Sequence, residues 1–167
     1  AQLPEGAPYE LIRGELVMSP SPSTYHQRLL LRLGRAFLNF VEEHETGEVL
    51  IAPMDVYLAE DTTVQPDLLY IAENRADIIG AQAIEGAPDL IVEIFSPSTT
   101  HRDVGVKKRL YEEHGVREYW TVDPDTQAVE IHVNTDDGFM QHARVVEAGT
   151  ASSTLLESFA VDLADLF

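Results

Sequence analysis

Residues 89–95 read Asp-Leu-Ile-Val-Glu-Ile-Phe, an apolar run with a single carboxylate, Glu93, in its interior. Continuous branched apolar residues are the pattern of a central β-strand covered on both faces. A lone carboxylate in such a strand is costly to desolvate unless it is paired or binds a metal. Upstream, Val-Gln-Pro-Asp-Leu-Leu-Tyr-Ile (64–71) sets Asp67 among apolar residues in the same way. Either carboxylate alone is also explained by a sheet edge or a buried hydrogen-bonded pair. Two of them on neighbouring strands weaken that explanation.

Around this centre the apolar period changes repeatedly. Residues 9–18 read as two short strands about a turn at Arg13-Gly14. Ser23 or Thr24 offers an N-cap for a helix over 25–43, where Leu29, Leu30, Leu33, Phe37, Phe40 and Val41 form one stripe. Gly47 ends it. Residues 48–60 and 63–72 read as two strands joined at 60–62, and 74–86 as a short helix or irregular crossover with a cap at Asn74. Residues 101–115 read as a helix closed by Gly115. Residues 117–125 form a further core strand, followed by antiparallel strands that include 153–158, and the tail reads as a helical turn. The order predicts an α/β fold in the broad sense, a mixed sheet flanked by helices. The length of 167 residues suits a single domain, 1–167.

Composition narrows the chemistry. With no Cys, the chain has no disulfide, thiolate–zinc site or thiol nucleophile. No apolar run is long enough to span a bilayer, and nothing at the N-terminus reads as a secretory leader, so the expected location is cytoplasmic, with no membrane partner. Eleven Lys and Arg stand against 29 Asp and Glu, a net charge of −18. So acidic a surface repels polyanions at long range. Only two of the basic residues are Lys, the adjacent Lys107 and Lys108. No GxGxxG, GxxxxGK[ST], GxSxG or HExxH pattern occurs.

Asp89 rivals Asp67, because Pro88-Asp89 repeats Pro66-Asp67. Four residues before Glu93 on one strand, however, its Cα lies ~13 Å from that of Glu93, too far for one ion. It is expected to cap the strand entry. Asp103, Lys107 and Tyr111 fall at i, i+4 and i+8 and share a helix face; an ordinary exposed ion pair would explain that spacing equally well. Of six histidines, His26 at the start of the first helix is the one placed near the carboxylates.

The ordered blocks VQPDLLYI (64–71), GAPDLIVEIFSPST (86–99), RDVGVKK (102–108), LYEEHGVREYW (110–120) and TVDPDT (121–126), with YELIRGELVMSPSPSTYHQRLLLRL (9–33), closely resemble the Uma-two family. These are restriction-type endonucleases of the PD-(D/E)XK nuclease superfamily, and the resemblance covers residues 9–135. It implies a restriction-endonuclease-like core, with Asp67 and Glu93 as catalytic metal ligands. The superfamily's usual strand lysine, two residues after the Glu, is replaced here by Phe95. The family places its lysine on the next helix in a D-x3-K-x3-Y pattern. Lys107 matches it, with Asp103 and Tyr111 in support and Lys108 off register. His26 and Gln27 match the first-helix pair, and Glu15 is a weaker candidate for an added acidic contact.

The implied reaction is Mg²⁺-dependent hydrolysis of DNA phosphodiester bonds, with Mn²⁺ as a substitute ion. Lys107 would assist the water or the phosphate. Arg102, Lys107, Lys108 and Arg109 would give the acidic body one local basic patch, and a homodimer would suit cleavage of both strands. The competing expectation is a nuclease-fold binding or regulatory module with little or no catalysis.

Overall fold

The computed structural model describes residues 8–97 and 101–167, and of residues 101–103 only the backbone. Its centre is a six-stranded sheet in the order β10-β9-β8-β7-β6-β3. The strands are β3 (Gly47–Ile51), β6 (Leu68–Ala72), β7 (Leu90–Ile94), β8 (Glu118–Asp123), β9 (Ala128–Thr135) and β10 (Gly138–Val146). The run read first, 89–95, is therefore an inner strand. Leu90, Ile91 and Val92 are all wholly buried, as a strand covered on both faces requires. The β7–β8 pair is parallel and the other pairings of this sheet are antiparallel. A parallel pair needs a crossover, and α2 (His101–Glu113) supplies it.

Helix α1 (Thr24–His44) covers one face. Ser23 caps it by accepting the His26 N–H, and Leu29, Leu30, Leu33, Phe37 and Val41 are buried. They pack with Leu68, Tyr70, Leu90, Val92, Ile94 and Trp120. Leu110 and Tyr111 of α2 cover the other face against Leu69, Ile71, Ile91 and Tyr119. Strand alternation makes this possible: even-numbered residues of β7 meet α1, and odd-numbered ones meet α2. Glu93 consequently shares the α2 face with Ile91.

The two long strands expected at 48–60 and 63–72 are four short ones. The breaks fall at Pro53 and Pro66. Proline has no N–H for a sheet ladder and is confined to edges and interruptions. After each break the chain changes sheet. β4 (Val56–Ala59) and β5 (Thr62–Val64) join β1 (Tyr9–Ile12) and β2 (Glu15–Met18) in a second sheet, ordered β2-β1-β5-β4. Residues 73–78 form a 3₁₀ turn whose start has no side-chain cap, so Asn74 is not the expected cap.

The strand expected at 153–158 is absent. Ser153 Oγ, Thr154 N, Thr154 Oγ1 and Leu155 N donate instead to the buried carboxylate of Glu118, which diverts the segment from a ladder. Flanking it, β11 (Thr150–Ser152) pairs with β12 (Ala160–Asp162), and the tail is α3 (Leu163–Leu166). No helix among the described residues is long and apolar enough to cross a membrane.

Phe37 lies at 0 % exposure, against Trp120 and Phe159 at ring-centroid distances of 5.6 and 4.3 Å. Phe37→Ala is expected to lower unfolding free energy by about 3–5 kcal/mol. Leu31→Ala, on the exposed side of the same helix, should change it by less than about 0.5 kcal/mol. Urea denaturation of both variants checks the assignment of the buried face.

Candidate active site

Asp67 and Glu93 meet at one end of the main sheet. The β6–β7 register pairs Leu68 with Val92, and continuing it by one residue sets Asp67 opposite Glu93. Pro66 matters here, because it ends the ladder beside Asp67 and leaves that position at the mouth of the sheet. Asp67 Oδ2 accepts the Ile94 N–H at 2.7 Å, and its Oδ1 lies 3.1 Å from His26 Nε2. The cap at Ser23 fixes where α1 begins and so holds His26 over the sheet end.

Glu93 is held from α2. Its Oε1 accepts from Lys107 Nζ at 3.1 Å and from the Tyr111 hydroxyl at 2.5 Å. One turn separates Lys107 from Tyr111, so the helix brings both to one oxygen. Lys107 Nζ also lies 2.8 Å from Glu10 Oε1, which accepts the Gln65 N–H at 2.8 Å. Thus β1, β5–β6, β7 and α2 each add a group to one cluster.

The electrostatics follow from burial and crowding. Desolvation raises the Glu93 carboxyl to about 7, and repulsion from Asp67 and Glu10 adds to it, while Lys107 and the Tyr111 hydrogen bond act against it. Burial opposes the charge on Lys107, but Glu93 and Glu10 outweigh it and hold the ammonium above its usual range. Burial and the two carboxylates keep Tyr111 a phenol. For His26, burial acts downward, yet Asp67 and Glu93 lift the ring above 6.5.

Glu10, His26, Asp67, Glu93 and Lys107 line a cleft of about 440 Å³, with Gln27 at its rim and Phe95 and Met18 on its walls, while Tyr111 lies buried behind Glu93. The structure thus brings together Asp67, Glu93, Lys107, Tyr111, His26 and Gln27. The side chain of Asp103 lies outside the described residues. Glu15 is exposed on β2 and takes no part in the cleft; the added carboxylate is Glu10, on the paired strand. Asp89 sits at the far end of β7, fully buried, where it accepts the Ala72 N–H and pairs with Arg75 at 3.1 Å. Lys108 is turned elsewhere, close enough to His132 to join burial in lowering that ring's pKa. Of the expected basic patch, Lys107 points inward onto two carboxylates, and the side chain of Arg102 lies outside the described residues.

Sequence reasoning missed Glu10 and Gln65. In an alternating strand such as Tyr-Glu-Leu-Ile a Glu reads as solvent-facing, yet Glu10 is only 4 % exposed. The available signal was a carboxylate in the resembling block 9–33 with the same lack of a local partner as Glu93.

The family model described as "Putative restriction endonuclease", Uma2, matches residues 1–164. The chain belongs to the Uma2 family. An uncharacterized protein of Synechocystis sp. (strain ATCC 27184 / PCC 6803 / Kazusa), sll1609, is 27% identical over 130 residues, covering 77% of this chain and 73% of its own length. The crystal structure of a putative nuclease belonging to DUF820 from Anabaena variabilis ATCC 29413 superposes with a TM-score of 0.80. It covers 99% of this chain and 93% of its own at 21% identity. Membership in Uma2 and this fold together support a nuclease, and they agree with the mixed, helix-flanked sheet expected from sequence.

The His26–Asp67 pair has a measurable signature. A ring pKa raised in the folded state contributes stability that is complete below about 6.5 and is lost as pH rises through the raised value. NMR titration of the His26 ring should give a midpoint above 6.5 in the wild type and a lower one in Asp67→Asn, where burial acts with less opposition. A midpoint unmoved by that substitution would contradict the pairing.

Proposed function

We propose that this Uma2 protein is a Mg²⁺-dependent endonuclease that hydrolyses DNA phosphodiester bonds at the Asp67–Glu93 cleft. The observation that carries this reading is the placement of two carboxylates opposite each other at the open end of a buried sheet, beside a buried ammonium. Both offer hard oxygen donors. Among the described residues no three His, Asp or Glu side chains form a ready-made cage. A two-carboxylate set suits an ion that keeps several waters, as Mg²⁺ does, and Mn²⁺ would substitute. The fit has a physical basis: the crowding that pushes Glu93 up to about 7 would be relieved by a divalent cation held by Asp67 and Glu93. When bound, such an ion lowers the pKa of a coordinated water and neutralises charge on the scissile phosphate.

The chain's own groups divide the remaining work. Lys107 is held as an ammonium by Glu10 and Glu93, so its part is to donate to a phosphate oxygen and stabilise developing negative charge. It is poorly suited to take a proton. Tyr111 donates to Glu93 and fixes the carboxylate's rotamer. His26 and the Ile94 N–H do the same for Asp67 and keep it from turning into the sheet end. Glu10 sets where the Lys107 stem ends. Gln27 at the rim can donate to an incoming strand.

One observation favours the competing reading, a nuclease-fold module that binds without cutting: the single Lys of the cleft is already shared between two carboxylates. Two measurements decide between them. Calorimetric titration of Mn²⁺ should show one stoichiometric site in the wild type, absent from Asp67→Ala and from Glu93→Ala. Mn²⁺-dependent cleavage of DNA should fall by about 10²–10³-fold in Lys107→Ala, with Mn²⁺ still bound. Identical weak, multi-site isotherms for all three proteins would remove the metal centre, and stoichiometric binding without cleavage would favour the binding module.

A further inference from the structure

The cleft's walls and its charges point to the form of nucleic acid it accepts. Phe95 follows Glu93 by two residues, and its N–H donates to Val122 O at 2.8 Å, so the extended backbone continues and the two side chains share one face. Phe95 is half-buried and lines the cleft together with Met18, Pro20, Pro22, Pro53 and Val104. An aromatic ring among prolines and an exposed methionine makes an apolar wall directly beside the carboxylates.

Among the described residues that line the cleft, the charges offer little counterpart for a duplex backbone. Lys107 is the one Lys or Arg among the described lining residues, and its ammonium lies 2.8 Å from Glu10 and 3.1 Å from Glu93. Duplex binders draw their affinity largely from Lys and Arg on phosphates, whereas single-strand binders add base stacking on aromatic side chains. A volume of about 440 Å³ lies at the low end of the ~300–1,000 Å³ typical of small-ligand sites, a scale of one or a few nucleotide units.

We infer that the cleft takes a single DNA strand, one unstacked base lying on Phe95 while the adjoining phosphate faces Asp67, Glu93 and Lys107. This rests on the nuclease reading for its choice of ligand, and it makes Phe95 a specificity-determining residue. The affinity comes from stacking, so it should be flat or rise with salt, because screening weakens repulsion from a body of net charge −18.

The test uses fluorescein-labelled octathymidylate and a labelled eight-base-pair duplex, with binding read by anisotropy in Ca²⁺ and cleavage read in Mn²⁺. The wild type should bind the single strand more tightly than the duplex. Phe95→Leu, which keeps an apolar side chain, should weaken single-strand binding by about 5–150-fold and raise KM more than it lowers kcat. Phe95→Trp should restore binding, which separates a lost ring from a damaged fold. Equal or tighter duplex binding, no single-strand binding, or an unchanged Phe95→Leu variant overturns the inference; Mn²⁺-dependent cleavage would then still uphold the nuclease reading. Phe95-dependent strand binding without any cleavage does the reverse.

Discussion

Three carboxylates, those of Glu10, Asp67 and Glu93, converge at one end of the main sheet, and the fold must hold them there against their mutual repulsion. Water cannot do so, because Glu93 sits between apolar strands and Glu10 is almost wholly covered. The compensation is built from elements far apart in sequence. Lys107 and Tyr111 come from the crossover helix, His26 from the start of the first helix, and the Ile94 N–H from the strand that carries Glu93. Removing any one leaves a buried charge without its partner, which is more costly than the pair is stabilising. The cluster is thus a constraint on the placement of α1, α2 and the β1–β2 hairpin together.

On the proposed reading, that arrangement also explains how so acidic a chain would meet a polyanionic substrate. The chain's net charge is −18, and at physiological salt the reach of exposed charges is limited to about 8 Å. Inside the cleft the balance is set locally by three carboxylates, one ammonium and one imidazole. A divalent ion shifts that balance towards neutrality, and the apolar wall around Phe95 supplies contact that does not depend on charge.

The sequence made the middle of the fold legible and the periphery less so. The run 89–95 announced an inner strand because its residues leave no face for solvent, and the α1 stripe announced a covered helix. Asp67 and Glu93 were visible as two carboxylates among branched apolar residues on neighbouring strands, whereas the Lys107–Tyr111 spacing gained meaning only from the family resemblance, since an exposed ion pair explains it equally well. Glu10 was not, since its partners, Lys107 of α2 and the Gln65 N–H, are remote in sequence, and no local pattern reports them. The splitting of 48–60 and 63–72 follows from Pro53 and Pro66, whose missing N–H groups interrupt a ladder that the apolar alternation alone would continue. Residues 153–158 look like a strand until the buried carboxylate of Glu118, 35 residues earlier for Ser153, claims their donors.

The most direct measurement is a Mn²⁺ soak of crystals of the protein, read by anomalous diffraction. An anomalous peak should lie within bonding distance of a carboxylate oxygen of both Asp67 and Glu93, with Lys107 Nζ still near Glu10. Peaks confined to surface carboxylates, with the His26–Asp67 and Lys107–Glu93 contacts unchanged, would contradict the account.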